Sequence, residues 1–255
     1  MSSIKYRETA WSDVVAGNRH TSNCLRPAVL GAETALELAP HRRSRVVYRI
    51  DGGGGSDDHI RWLLARDYQL MVKGASNRRA EALARQVKRW DTYGDAWLGQ
   101  VASPVDYGRA VQVIIKKRET TEGFSHSYYV STLHMPSKGA LMARYDQRGG
   151  AEIEQFRNDK NGLHLAARRK RKLHAQQGLI LLTDVVHNLL ADLHHRAFVD
   201  TSLVGFGSKR IVRDLLTIPG KLTFEAGQLK RIDLLASHPH AKTMLICLKS
   251  YTSGE

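Results

Sequence analysis

The sequence has little cysteine, since Cys24 and Cys247 are the only two among its 255 residues. Two thiols cannot build a disulfide framework, and alone they cannot supply the four ligands of a structural zinc site. Long hydrophobic runs are also lacking: the longest, such as 244–248, have about five residues, against the roughly 18 that span a bilayer. The first residues contain no apolar stretch of the secretory-signal type. We therefore expect a cytoplasmic protein with no membrane contact.

Acidic residues are outnumbered, because 25 Asp and Glu stand against 39 Lys and Arg, which gives a formal net charge of +14. The hydrophobic and charged fractions, 42% and 25%, lie in the globular range and exclude disordered and fibrous proteins. The length fits one large domain, or a domain with an insertion and a tail. The charge indicates a polyanionic partner, and nucleic acid is the commonest one for such a protein.

Part of the positive charge is concentrated in five consecutive residues, which we call the basic cluster: Arg168, Arg169, Lys170, Arg171 and Lys172. These side chains cannot all pair with internal acids, and they repel one another unless an anion neutralises them. A solvated helix face is the alternative interpretation. We expect the basic cluster to bind the phosphates of duplex DNA.

The first 90 residues alternate between strand and helix signals. A short β-branched run at 46–50 predicts a buried strand, which ends in Asp51 and four glycines. Ser56 then has the character of a helix N-cap, followed by acids in the first turn. A second strand at 68–72 and a helix beginning at 76 or 77 complete the series. This order predicts an α/β fold with helices on a sheet.

The pattern changes after residue 90. Three strand-like segments joined by turns indicate a β-rich insertion over 91–134, and they lie at 96–101, 110–116 and 127–133. Helical character follows over 135–200, and residues 201–255 form a C-terminal tail. In the helical part, five apolar residues recur every three or four positions and predict a helix face packed on the core: Leu179, Leu182, Val186, Leu189 and Leu193. The neighbouring His187 and Asn188 are expected to be polar residues of the core.

Asp51 is the first candidate for chemistry. A carboxylate at the carboxyl end of a buried strand stands where α/β sheets place their functional sites. The alternative is an ordinary Asp-Gly turn. The glycines at 52–55 do not form a phosphate-binding loop, because no Gly-Lys-Ser/Thr follows and the dinucleotide-binding spacing is not met.

A second candidate set, formed by Tyr145, Arg148, Glu152 and Asp159, is spaced by three, four and seven residues. These residues share one face if the segment is helical. The glycines at 149–150 make an uninterrupted helix doubtful, because each costs about 1 kcal/mol in a helix interior. On spacing alone, a plain ion pair between an Arg and a Glu is favoured.

Taken together, these motifs resemble bacterial insertion-sequence transposases of the branch with a Tyr-Arg-Glu-Lys signature. The resemblance rests on Tyr-x2-Arg-x3-Glu from Tyr145, on the Asp-Lys-x-Gly-Leu that follows, on the basic cluster and on the apolar helix with His-Asn. Segments 17–20, 49–57 and 69–73 also look like segments of that family, and the likeness spans about 11–249. It implies an RNase H-like catalytic domain, a mixed sheet flanked by helices, with a β-rich insertion between the second and third acidic motifs.

The resemblance also implies an activity, DNA transposition by metal-dependent strand cleavage and transfer at insertion-sequence ends. Asp51 and Glu152 are then the second and third catalytic acids and ligands of Mg²⁺ or Mn²⁺. Glu154 is an alternative third acid, because the family spacing Glu-x6-Lys from Glu152 reaches Asp159, and Lys160 comes one residue late.

The same resemblance implies DNA contacts near the scissile bond from Tyr145, Arg148 and Lys160, while the basic cluster grips the backbone. Duplex DNA is the expected partner, and a homodimer is a further expectation. In the family, a first acid ends a strand upstream of the segment at 17–20, and only 16 residues precede that segment here. We therefore expect an N-terminally truncated, inactive chain. The alternatives are a non-catalytic DNA-binding remnant or partner module and, more distantly, an unrelated metal-dependent nuclease.

Overall fold

The computed structural model describes residues 8–15, 21–165, 167 and 170–253, without the side chains of 21, 148–158 and 253. The chain divides into two compact units, one of residues 15–148 and one of residues 1–14 with 149–255. The elements of the first unit are α1 (Leu25–Ala35), β1 (Val47–Ile50), α2 (Asp57–Ala65), β2 (Gln69–Lys73), α3 (Asn77–Ala84), β3 (Asp91–Tyr93), β4 (Ala96–Val101), β5 (Gln112–Thr120) and β6 (Gly123–Ser131).

A long helix, α4 (Lys138–Gly162), begins in this unit and continues into the other. The remaining elements are α5 (Leu173–Leu193), α6 (Ser208–Arg210), β7 (Gly220–Glu225), β8 (Gln228–Leu234) and α7 (Ala241–Ser253). The helix α4 passes through the glycines at 149–150 without a break. The doubt about an uninterrupted helix was therefore wrong: at about 1 kcal/mol each, two glycines are too weak to end a helix of 25 residues.

One mixed sheet organises the first unit, with its six strands in the order β1-β2-β6-β5-β4-β3. The strands β1 and β2 are parallel, and all other neighbours are antiparallel. The predicted α/β fold with a mixed sheet and flanking helices is confirmed. The strands after residue 90 extend the same sheet, because β6 pairs with β2. Among the described residues, β1 is an edge strand whose one strand neighbour is β2.

The helix α4 covers one face of this sheet. Its apolar residues join side chains from four strands in a buried cluster, which consists of Met71, Leu98, Ile114, Tyr129, Leu141, Met142 and Tyr145. Strand side chains alternate between faces, and the neighbouring Tyr128 accordingly points to the face on which α3 packs. The sheet is thus flanked by helices on both sides.

In the second unit, α5 buries a different face from the one predicted. Leu182 and Leu189 are 61% and 59% exposed, whereas Thr183, His187 and Leu190 are buried. The prediction failed because α5 is apolar on two sides, so a period of 3.6 fits either face and only packing decides. His187 is a core residue as expected, since its Nδ1 lies 2.6 Å from Oδ1 of the buried Asp159.

Residues 201–255 are more than a loose tail. Their apolar side chains pack with the end of α5 into one buried cluster, which includes Leu193, Phe198, Leu203, Phe206, Ile211, Leu215, Met244 and Cys247. The hairpin of β7 and β8 forms a separate two-stranded sheet. The C-terminal segment is therefore held to the end of α5 by a shared hydrophobic core.

In the first unit, Glu33 of α1 is the centre of a half-buried polar network. Its carboxylate accepts hydrogen bonds from Arg43 at 3.0 Å, from Arg66 at 2.5 Å and from the hydroxyl of Tyr68. Burial raises the pKa of Glu33, but the hydrogen bonds from Arg66 and Tyr68 outweigh it, so that the pKa lies below its ordinary value. This network fastens α1 to α2 and β2.

Replacing Glu33 by Gln is expected to lower the free energy of unfolding by about 2 kcal/mol at neutral pH, because hydrogen bonds to a charged group are removed. Since the folded pKa is depressed, the stabilisation is present above the ordinary pKa and is lost as the pH falls through the folded one. Urea unfolding of wild type and Glu33→Gln at neutral and acidic pH measures this, and the difference should shrink in acid. The exposed Glu37→Gln is the control; an equal loss of stability in both variants would contradict the prediction.

Candidate active site

Asp51 lies directly after β1, at the edge of the sheet where the parallel strands β1 and β2 both end. Its side chain is exposed, and its Oδ1 accepts a hydrogen bond from the backbone N–H of Gly53 at 3.1 Å. Asp51 is thereby the N-cap of a short 3-10 turn over Gly52–Gly54. The predicted position of this carboxylate at the carboxyl end of a strand is confirmed. The prediction that this strand is buried was wrong, because β1 is an edge strand in which Val47 is exposed and only Ile50 is buried.

Two of the glycines after Asp51, Gly54 and Gly55, are required by packing. A Cβ atom on Gly55 would lie 1.9 Å from the carbonyl oxygen of Lys73, and one on Gly54 would lie 2.6 Å from Ile50. The carbonyl of Gly55 in turn accepts a hydrogen bond from the N–H of Ala75 at 3.2 Å. The glycine turn is therefore pressed against the end of β2, which is a structural reason for a run of small residues.

The helix α2 begins immediately after this turn. Ser56 caps it, since the Oγ atom accepts from the N–H of His59 at 3.3 Å, as the sequence predicted. Asp57 in the first turn accepts hydrogen bonds from Arg79 at 2.7 Å and from the hydroxyl of Tyr107 at 2.8 Å. Burial raises the pKa of Asp57, but these hydrogen bonds outweigh it and hold the pKa below its usual range. Asp57 is thus engaged in holding α2 to its neighbours.

Two side chains fasten α4 to the end of β1. The hydroxyl of Tyr145, which is 5% exposed, donates to the carbonyl oxygen of Ile50 at 3.0 Å. Arg49 donates to the carbonyl oxygen of Arg144 at 2.8 Å. Sequence reasoning missed this contact of Tyr145, because nothing in the local pattern indicates a bond across 95 residues. The DNA contact of Tyr145 stays a prediction.

The other signature residues lie further along α4. Arg148, Glu152 and Glu154 belong to this helix, but their side chains are outside the described residues. Seven residues separate Glu152 from Tyr145, which returns it to nearly the same helix face, whereas Glu154 is turned away from Glu152 by about 200°. The choice between Glu152 and Glu154 stays a prediction.

Farther on, Asp159 is buried against His187, while Lys160 is exposed. The position at which the family spacing predicts a lysine is therefore filled by a structural acid, and the neighbouring Lys160 presents the positive charge. In the basic cluster, Arg168 and Arg169 lie outside the described residues. The other three members, 170–172, are exposed and form no ion pair with a described acid.

A metal site needs several hard oxygen ligands, and the exposed carboxylate of Asp51 is of that type. Among the side chains that the structure describes, no group of three or more His, Cys, Asp or Glu could hold an ion. The side chains of Glu152 and Glu154 are not in that set. The carboxylate of Asp51 is a hard oxygen donor of the kind that Mg²⁺ or Mn²⁺ prefers.

Replacing Gly55 by Ala is expected to destabilise the chain by about 1–3 kcal/mol, because the added methyl group would overlap the Lys73 carbonyl and push the turn off β2. Thermal or urea unfolding measures the effect. Gly139→Ala is the matched control: its Cβ would meet only ordinary contacts at 3.7 and 3.8 Å, and in α4 alanine should be neutral or stabilising by up to about 1 kcal/mol. Similar unfolding midpoints for both variants would contradict the assigned packing.

Comparison with known proteins agrees with this arrangement. The model of a family described as transposase DDE domain group 1 matches residues 16–252. No curated protein matches the chain. Within the described residues, no helix has the length and apolar character needed to cross a membrane. The match covers nearly the whole chain and includes the strand end at Asp51 and the helix α4. The chain belongs to the DDE transposase domain family, whose members act on DNA in transposition.

Proposed function

We propose that this chain supplies two acids of a transposase catalytic centre, Asp51 and Glu152, which act on the DNA ends of an insertion sequence. One observation carries the proposal: the hydroxyl of Tyr145 donates to the carbonyl of Ile50, the residue before Asp51. The first turns of α4, the helix in whose sequence Arg148 and Glu152 follow, are thereby tied to the strand end that bears Asp51. Glu152 is preferred to Glu154 because it shares the helix face of Tyr145.

Mg²⁺ or Mn²⁺ is the proposed cofactor, with Asp51 and Glu152 as ligands. When bound, such an ion activates the attacking oxygen and stabilises the leaving one in phosphate displacement. The chain's own residues orient the Asp51 carboxylate and position the helix α4. Asp51 is oriented by the N–H of Gly53, and Tyr145 and Arg49 hold α4 in place beside the strand end.

Duplex DNA is the proposed partner, which makes the cytoplasm the expected compartment. Arg148 and Lys160 would contact phosphates near the scissile bond, and the basic cluster would grip the backbone. The exposure of Lys160 and of residues 170–172 supports these roles, because exposed cations without internal partners are available to phosphates.

We further propose that the chain by itself does not cleave DNA. A catalytic pair of ions needs a bridging acid, and the described side chains form no group of three or more His, Cys, Asp or Glu that could hold an ion. The outer edge of β1 has no strand neighbour among the described residues, and a strand ending in an acid would fit there. An unpaired edge also favours self-association, which supports a homodimer. The alternative function is a DNA-binding remnant or partner module without catalysis.

The function is tested by Mn²⁺ binding and by DNA cleavage. The purified chain is expected to bind Mn²⁺ weakly, and Asp51→Asn or Glu152→Gln should weaken that binding by about tenfold or more, since each removes a hard ligand. With Mg²⁺, the chain should not cleave its cognate ends.

Glu154→Gln is the matched control for Glu152→Gln and should leave Mn²⁺ binding unchanged. Loss of binding in Glu154→Gln alone would overturn the choice of Glu152. If the chain cleaves DNA and Asp51→Ala abolishes that cleavage, the proposed inactivity is refuted. DNA binding without any effect of Asp51 or Glu152 on Mn²⁺ would favour the non-catalytic module.

The basic cluster is tested by the salt dependence of DNA affinity. Replacing Arg168, Arg169 and Lys170 by Ala is expected to flatten the slope of log K against log salt by roughly 0.9 for each phosphate that the protein no longer neutralises. Fluorescence anisotropy with a duplex oligonucleotide at several salt concentrations gives the slope. A control variant replaces three exposed lysines of the same unit, Lys221, Lys242 and Lys249. If both triple variants keep the wild-type slope, the basic cluster is only a solvated face.

A further inference from the structure

We propose that Lys73 binds a phosphate of the DNA backbone beside Asp51, an inference that rests on the proposed function of Asp51. Lys73 is the last residue of β2 and was not among the candidates that the sequence suggested. Three observations support the proposal: Lys73 lies beside Asp51, it forms no ion pair with an acid whose side chain is described, and the glycine turn packs against it.

The strand register brings Lys73 next to Asp51. Ile50 pairs with Val72 in the parallel pair of β1 and β2, so the residues that follow them, Asp51 and Lys73, are neighbours at the carboxyl edge. On its other side, Lys73 pairs with Tyr129 of β6, whose ring packs in the buried cluster under α4. Paired residues of neighbouring strands share a face, so Lys73 lies on the α4 face of the sheet.

The glycine turn supports the alkyl stem of Lys73. A Cβ atom on Gly52 would lie 4.0 Å from Cδ of Lys73, so the stem runs beside the first residue of the turn. Gly55 approaches the Lys73 carbonyl, and Ala75 donates to Gly55, which fixes the backbone on both sides of this lysine. The side chain is half-buried, so its stem is held while part of it stays accessible.

The charge of Lys73 is not consumed within the described part of the chain. The two acids at the start of α2 already have partners, since Asp57 pairs with Arg79 and Asp58 pairs with Arg26. Lys73 forms no ion pair with these acids, with Asp51 or with any other acid whose side chain is described. A lysine held beside a catalytic carboxylate without an internal partner can neutralise a phosphate oxygen that Asp51 alone would repel.

The test measures DNA affinity and does not require catalysis. Lys73→Gln, which keeps much of the stem and removes the charge, should flatten the salt slope by about 0.9 and weaken binding about eightfold at 0.1 M salt. Lys73→Arg should retain most of the affinity. The full chain is titrated with a duplex insertion-sequence end by fluorescence anisotropy, with EDTA and with Mn²⁺, and a thermal scan checks that each variant is folded.

Lys88→Gln is the matched control. Lys88 is an exposed lysine of the same unit, and it lies beyond the far end of α3, a helix that starts near Lys73 and runs about 12 Å. A wild-type slope for a folded Lys73→Gln, or an equal loss of affinity for Lys88→Gln, would overturn the proposal for Lys73. Asp51→Asn in the same titration tests the proposed function separately: if it leaves the Mn²⁺ dependence of DNA binding unchanged, the assignment of Asp51 fails whatever Lys73 does.

Discussion

The close parallel pairing of β1 with β2 is the constraint on which the candidate site depends. The two strands end at the same edge, and the turn after β1 is pressed so closely on the end of β2 that Gly55 has no room for a side chain. This contact sets the direction in which the chain leaves Asp51 and the point at which α2 begins. It also fixes the stem of Lys73 beside the turn, so that an acid and a base become neighbours although 22 positions separate them in the sequence.

A second constraint comes from α4, which joins the sheet to the signature residues. Its first turns are anchored by the buried cluster and by the hydrogen bond from Tyr145 to Ile50. The same helix continues through the glycines at 149–150 to Asp159, which is paired with His187. Tyr145 thus fixes the first turns of α4 against the end of β1, and Asp159, where the resemblance predicts a lysine, is part of the core of the second unit.

The charged side chains fall into two groups: some form ion pairs that hold elements of the fold together, and others are exposed cations. Several acids of the first unit form ion pairs that hold elements together. Glu33 pairs with Arg43 and Arg66, and Asp57 pairs with Arg79. Because bases exceed acids by the net charge of +14, many cations remain without an internal partner. Lys160 and residues 170–172 are exposed and form no ion pair with an acid whose side chain is described, so their charge suits a polyanionic partner.

The sequence by itself determined the local elements, the fold class and the family, because these rest on short-range signals. The β-branched run before Asp51 predicts a strand, and Ser56 predicts the start of a helix, each from a few neighbouring residues. The basic composition indicates a polyanionic partner. The edge position of β1, the role of the four glycines and the bond from Tyr145 to Ile50 were decided by tertiary structure, since each depends on a segment distant in the chain. Tertiary structure also decided which face of α5 is buried. Because α5 carries apolar residues on two sides, its sequence is compatible with burial of either side. Packing buries the face that bears Thr183, His187 and Leu190.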